Sequence, residues 1–134
     1  MVVGVDKKIA MELQRPTNVE IVDAVDRRQL LPYYQSAKVY CQPSLREGLP
    51  NTLCEAMLCQ CIPVATNVGG NITAVGTTGI LVASKDPNAL ASALERALNM
   101  NDEPGKQARK RIQELFPQEK RELELKTLIQ QFFT

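Results

Sequence analysis

Five short runs of apolar, often β-branched residues, Val2–Val5, Val19–Val22, Val39–Cys41, Ile62–Ala65 and Ile80–Val82, recur along the chain with helix-forming segments between them. Such runs read as buried strands. A strand, a helix and a further strand in one sheet are joined almost always by a right-handed crossover that leaves the strands parallel. The alternation therefore predicts an α/β fold: one parallel sheet with helices on both faces. At 134 residues the chain is expected to form one domain, long enough to bury a core.

The segments between the strands carry their own punctuation. Lys7–Leu13 presents Ile9, Ala10 and Leu13 on one side as a brief helix, which Pro16-Thr17-Asn18 ends. Asp26 is placed to cap the next helix, and Pro32 is expected to interrupt or restart it before Tyr33–Ala37. A helix of about residues 51–59 and a short turn near Ile72–Val75 follow the third and fourth strands. Asp86-Pro87 starts a helix whose apolar face is Leu90, Ala93, Leu94, Ala97 and Leu98. Asn99–Gly105 reads as a mobile connection, Ala108–Phe116 as a helix, and Pro117 as the opening of a closing helix over 117–133. Leu123, Leu125, Leu128, Ile129, Phe132 and Phe133 recur there at helical spacing, suited either to packing or to a partner.

In parallel sheets ligands bind beyond the carboxyl ends of the strands. The loops at Asp23–Val25, Pro43–Pro50 and Asn67–Gly70 fall there and are expected to line one crevice. The central loop enters a helix at Pro50 or Asn51, with Glu47 before the entry and Glu55 just over one turn in. Helical side chains lean toward the N-terminus, so Glu55 can point at the mouth that Glu47 borders. Unpaired amides and the positive dipole end suit an anion such as a diphosphate, and the carboxylates suit vicinal hydroxyls on either side of it. Acidic residues near a helix start also serve as simple end-charges, which is the competing account of both glutamates.

The formal net charge of +1 gives no global field to attract nucleic acid or an anionic membrane. No apolar run is long enough to span a bilayer and no signal-peptide pattern opens the chain, so a cytoplasmic protein is expected. Cys41, Cys54, Cys59 and Cys61 sit in apolar patterns and are expected to be buried thiols, with no metal site. The chain contains no histidine, which excludes Ser-His-Asp and Cys-His chemistry within it.

Pro43-Ser44 followed by Glu47-Gly48-Leu49-Pro50-Asn51-Thr52-Leu53-Cys54-Glu55-Ala56-Met57 resembles the Glu-x7-Glu signature of family-4-type retaining glycosyltransferases with the GT-B fold. Ile62–Gly70 resembles the family's next block, and Gly79–Val82 with Asp86–Leu90 the one after, in the same order and spacing. The resemblance implies a Rossmann-like, C-terminal lobe that holds a nucleotide-diphosphate sugar of UDP or GDP type, with no cofactor and no metal. Glu47 matches the glutamate that bonds the donor sugar at the catalytic centre, and Glu55 the one that takes the ribose hydroxyls. Backbone amides of Gly48 and Leu49 are implied to face the sugar, those of Asn51, Thr52 and Leu53 the diphosphate, and Ala24-Val25 the base.

The same resemblance implies what this sequence lacks: the lobe's first strand with its basic clamp, and an acceptor-binding N-terminal lobe. Alone, the chain is expected to bind donor without transferring it; membrane association is expected only through the missing lobe, and self-association through an exposed sheet edge. A sugar-nucleotide epimerase lobe and a non-catalytic interaction module share the fold and are the alternatives. Gln60, Asp23 and Thr73 depart from the family pattern, Gln60 standing where a helix-ending glycine is usual.

Overall fold

The computed structural model describes residues 1–12 and 17–133, which divide into two compact units, Met1–Tyr33 and Tyr34–Thr134. In the first unit β1 (Val2–Val3) lies parallel to β2 (Ile21–Val22), joined through α1 (Lys7–Glu12). β1 stops short of the Val5 expected from sequence because Gly4 turns the backbone to φ +74, which no strand accommodates. Leu13 and Pro16, expected to end α1, lie outside the described residues. The Asp26 cap forms as expected: its Oδ1 accepts from the Gln29 amide at 2.9 Å, and Gln29 Oε1 accepts from the Asp26 amide at 3.0 Å. The helix so started, α2 (Arg27–Ser36), runs unbroken through Pro32. Pro32 forfeits one rung of the helix ladder without ending it.

The second unit is built on a parallel sheet ordered β3 (Val39–Gln42), β4 (Ile62–Thr66), β5 (Ile80–Val82). The five strands thus pair as two hydrogen-bonded sheets, where the alternation alone predicts one. Every residue of central strand β4 is buried, and the pleat sends its side chains to opposite faces. Ile62 and Val64, with Val39, Ile80 and Val82, pack on Ala93, Ala97, Leu90 and Leu94 of α5 (Pro87–Asn99). Ala65, with Tyr40 and Leu81, packs on Leu53, Met57, Ala74, Val75, Ala108 and Ile112. Those six belong to α3 (Asn51–Leu58), α4 (Gly70–Val75) and α6 (Glu103–Leu115). The expected α/β architecture, with helices on both faces of a parallel sheet, is the one observed.

Each helix shows how its sequence starts or ends it. Asp86 caps α5, its Oδ1 accepting from the Ala89 amide at 2.9 Å with Pro87 next in line. Leu98, read from sequence as part of the α5 apolar face, is 56% exposed, because it lies at the rim of that stripe. α3 closes on a Schellman motif: the Gln60 amide donates to the Met57 carbonyl at 2.9 Å and the Cys61 amide to the Ala56 carbonyl at 3.1 Å. Gln60 occupies the left-handed position at φ +67, the conformation expected from the glycine it replaces.

The Asn99–Gly105 stretch is more ordered than a mobile connection. Met100 packs on the α5 layer, and α6 already begins at Glu103. Pro104 gives up an amide that a first helical turn cannot use anyway, and Gly105 lets α6 approach the end of α3, where a Cβ would strike the Gln60 carbonyl. Farther along α6, Arg111 donates from Nε to the Ala74 carbonyl at 2.9 Å and from its terminal nitrogen to the Thr73 carbonyl at 2.7 Å, capping α4. The last helix, α7, spans Gln118–Phe133. Its Leu123, Leu128 and Ile129 are about half exposed or more among the described residues; the side chains of Leu125, Phe132 and Phe133 lie outside the described residues.

All four cysteines are free thiols, of which only Cys61 is fully buried, its sulfur donating to the Tyr34 carbonyl at 3.1 Å. No helix among the described residues is long and apolar enough to cross a membrane.

Candidate functional site

The loop after β3 delivers the chain to the start of α3 with that helix entrance left open. Pro50, at the N-cap, has extended backbone angles and supplies no side-chain cap. Asn51 and Thr52 are exposed, whereas Leu53 is fully buried and pins the first turn to the core. The amides of that turn have no intrahelical acceptor, so the entrance carries the partial positive charge that attracts anions.

Glu47 is half-buried and held by its neighbours. Its Oε1 accepts from Gln42 Nε2 at 2.7 Å and from Ser44 Oγ at 2.5 Å, and Gln42 Nε2 also reaches Ser44 Oγ at 3.0 Å. The other end of the Gln42 amide accepts from Tyr40 OH at 2.9 Å and from Thr52 Oγ1 at 3.4 Å. Strand β3 thus reaches Glu47 through Tyr40 and Gln42, which alternation places on one face of the sheet.

The Tyr40 phenol also feels the charge of both glutamates. Burial raises its phenol, Thr52 offsets part of that rise, and the carboxylates of both Glu47 and Glu55 add to it. Glu55 acts likewise on Tyr34, whose ring meets Tyr40 edge-on with centroids 5.7 Å apart. Glu47 in the loop and Glu55 on α3 are thus both near enough to Tyr40 for their charges to act on its phenol.

The loop after β4 closes on the same backbone. The Gly70 amide donates to the Glu47 carbonyl at 3.4 Å. A Cβ on Gly69 would strike the Glu47 carbonyl and one on Gly70 the Gly48 carbonyl, so only glycine allows the two loops to meet. Beneath them, buried Thr66 donates to the Ser44 carbonyl at 2.6 Å, and buried Asn71 donates to the Thr66 carbonyl at 3.1 Å. Asn71 Oδ1 is a buried acceptor with no partner among the described residues.

Of the residues singled out from sequence, Glu47, Gly48, Leu49, Asn51, Thr52 and Leu53 share this one loop and first helical turn, and Glu55 lies in the next turn of α3. Ala24 and Val25 lie past β2 in the other unit, where Ala24 packs near Gly4. Gln42, Ser44, Tyr40, Thr66 and Asn71 were not singled out. The signal for Tyr40 and Gln42 was present in β-strand alternation, which puts them on the side of the sheet that leads into the loop.

Residues 1–100 match the family model described as Glycosyl transferases group 1. The chain belongs to this family. Among curated relatives it is 29% identical over 118 residues to the capsular polysaccharide biosynthesis glycosyltransferase CapM of Staphylococcus aureus, covering 84% of this chain and 30% of that one. It is 33% identical over 99 residues to the D-inositol 3-phosphate glycosyltransferase of Corynebacterium urealyticum, covering 72% of this chain and 23% of the relative. Among solved structures, the sucrose-phosphate synthase of Thermosynechococcus elongatus superposes with a TM-score of 0.83 at 34% identity, over 95% of this chain and 33% of that one. This group 1 chain thus spans a third or less of the length of each of these proteins.

Proposed function

We propose that this chain is the nucleotide-sugar-binding, C-terminal lobe of a retaining, family-4-type glycosyltransferase of GT-B architecture. Membership of a glycosyltransferase family, whose relatives here are several times longer, supports a lobe that works with the rest of a longer protein. The donor is a nucleotide-diphosphate sugar of UDP or GDP type. Its diphosphate sits against the amides of Asn51, Thr52 and Leu53, and its sugar faces the amides of Gly48 and Leu49. Glu47 accepts hydrogen bonds from the sugar hydroxyls and Glu55 from the ribose hydroxyls.

The observation that carries this reading is the uncapped start of α3, with Asn51 and Thr52 exposed and the Glu47 carboxylate held by Gln42 and Ser44 in the loop that leads into it. In the reaction, negative charge grows on the diphosphate as the anomeric bond breaks. Fixed amides and the helix dipole stabilise that charge without reorganising. No metal or cofactor is required of this lobe, which works in the cytoplasm. Acceptor binding and the basic side chains that complete catalysis belong to the remainder of the protein, so the chain alone binds donor weakly and does not transfer it. In the same reading the chain alone is open to self-association through a sheet edge.

Comparing UDP with 2′,3′-dideoxy-UDP, and GDP with its dideoxy analogue, tests the ribose assignment. The ribonucleotide binds more tightly to the wild-type chain, and Glu55→Ala erases the difference. Equal binding of both forms to the wild-type chain contradicts it.

A further inference from the structure

We propose that Gln42 is the positioning residue for Glu47, fixing its carboxylate so that Oε2 alone is presented to the donor sugar. This rests on the reading that Glu47 faces that sugar.

The hydrogen-bond chain has a single consistent direction. A carboxylate only accepts, so the Gln42 amide must turn its Nε2 toward Glu47, as it does at 2.7 Å. Its Oε1 is then left to accept, and Tyr40 OH and Thr52 Oγ1 both donate to it. Tyr40 is itself held by its edge-on contact with Tyr34 and by the core beneath α3. The order imposed on the core by Tyr40 therefore passes through Gln42 to Glu47.

Gln42 and Ser44 both donate to the same oxygen, Oε1, and occupy its two lone pairs. No donor among the described residues reaches Oε2, which is the edge left for ligand hydroxyls. A carboxylate pinned in this way meets hydroxyls along one direction only, which makes it sensitive to the configuration of the sugar carbon that bears them. Freed from Gln42, the same carboxylate can turn to follow either epimer. Gln42 thus acts on discrimination between sugars more than on the nucleotide.

The test uses the isotope-labelled chain with UDP-glucose, UDP-galactose and GDP-mannose, and with UDP and GDP as sugar-free controls. In the free protein the Gln42 side-chain NH2 signals are shifted downfield, and Glu47→Ala and Tyr40→Phe both move them toward ordinary glutamine positions. Gln42→Leu weakens sugar-nucleotide binding relative to the bare nucleotide by about tenfold or more, the range for a lost hydrogen bond to a charged group. It also narrows the gap between epimers and leaves UDP and GDP affinity within about twofold. Ser44→Ala, which spares the strand, gives a smaller change in the same direction.

Unmoved Gln42 signals in Glu47→Ala overturn the positioning role whatever the donor is. Loss of sugar-dependent binding in Glu47→Gln without loss in Gln42→Leu overturns the positioning alone. No sugar-dependent change in Glu47→Gln overturns both this role and the donor-site reading beneath it.

Discussion

The amide of Gly70 meets the carbonyl of Glu47 at 3.4 Å, in a gap that admits no side chain at residues 69 or 70. This contact sets how the loop after β3 lies over the loop after β4, and so where Gly48, Leu49 and the Glu47 carboxylate are presented. Gly70→Ala must push the Gly48 carbonyl aside, an overpacking strain of about 1–3 kcal/mol. Urea unfolding is expected to register that loss, and sugar-nucleotide binding is expected to fall with it. A variant with wild-type stability contradicts the contact.

The end of α3 is strained in the opposite sense. Gln60 holds φ +67, and a non-glycine residue there costs about 1 kcal/mol. Gln60→Gly is expected to raise stability by about that amount, read as a higher urea midpoint with unchanged slope. Lys85, at φ +62, is the matched site at which to repeat the measurement.

Thr66 joins three segments through one hydroxyl: it donates toward the Ser44 carbonyl and accepts from Asn71 Nδ2 at 3.3 Å. Thr66→Val keeps the shape and removes both bonds inside the core, at about 1–3 kcal/mol. The same variant is expected to loosen the loop that carries Glu47, visible as faster amide exchange at residues 44–49.

Two buried groups set the alkaline limit. Burial pushes the Cys61 thiol up to about 11 from 9.0. Burial, with Tyr40 and the Glu55 carboxylate beside it, pushes the Tyr34 phenol up to about 12 from 10.0. Both hold their protons more tightly folded than unfolded, so their stabilisation is complete below pH 9. It is lost as pH rises through 9 to 11 for Cys61 and through 10 to 12 for Tyr34. Denaturation midpoints across that range are expected to fall, and Tyr34→Phe removes only the upper part of the decline.

The strands and helices were legible because each is signalled locally: β-branched runs, Asp26 and Asp86 as caps, and Pro87 in a first turn. That Glu47 precedes the start of α3 and Glu55 lies just over one turn inside it was legible from the loop signals and the helix boundary. Pro104-Gly105 was misread because Pro-Gly signals a turn, whereas here the glycine serves the approach of α6 to Gln60, a contact across the fold. Gln42 and Thr66 were missed for a related reason. Their partners lie on other segments or in the loop, so only the folded chain shows what they hold. The division of strands between two sheets depends on pairing that alternation cannot count.

The most direct test of the account is the amide spectrum of this chain during titration with UDP-glucose and, separately, GDP-mannose. An anion seat at the start of α3 predicts that Gly48, Leu49, Asn51, Thr52 and Leu53 shift first and furthest with one of these ligands. If those five amides hold still while both ligands are raised to millimolar excess, the seat is not there.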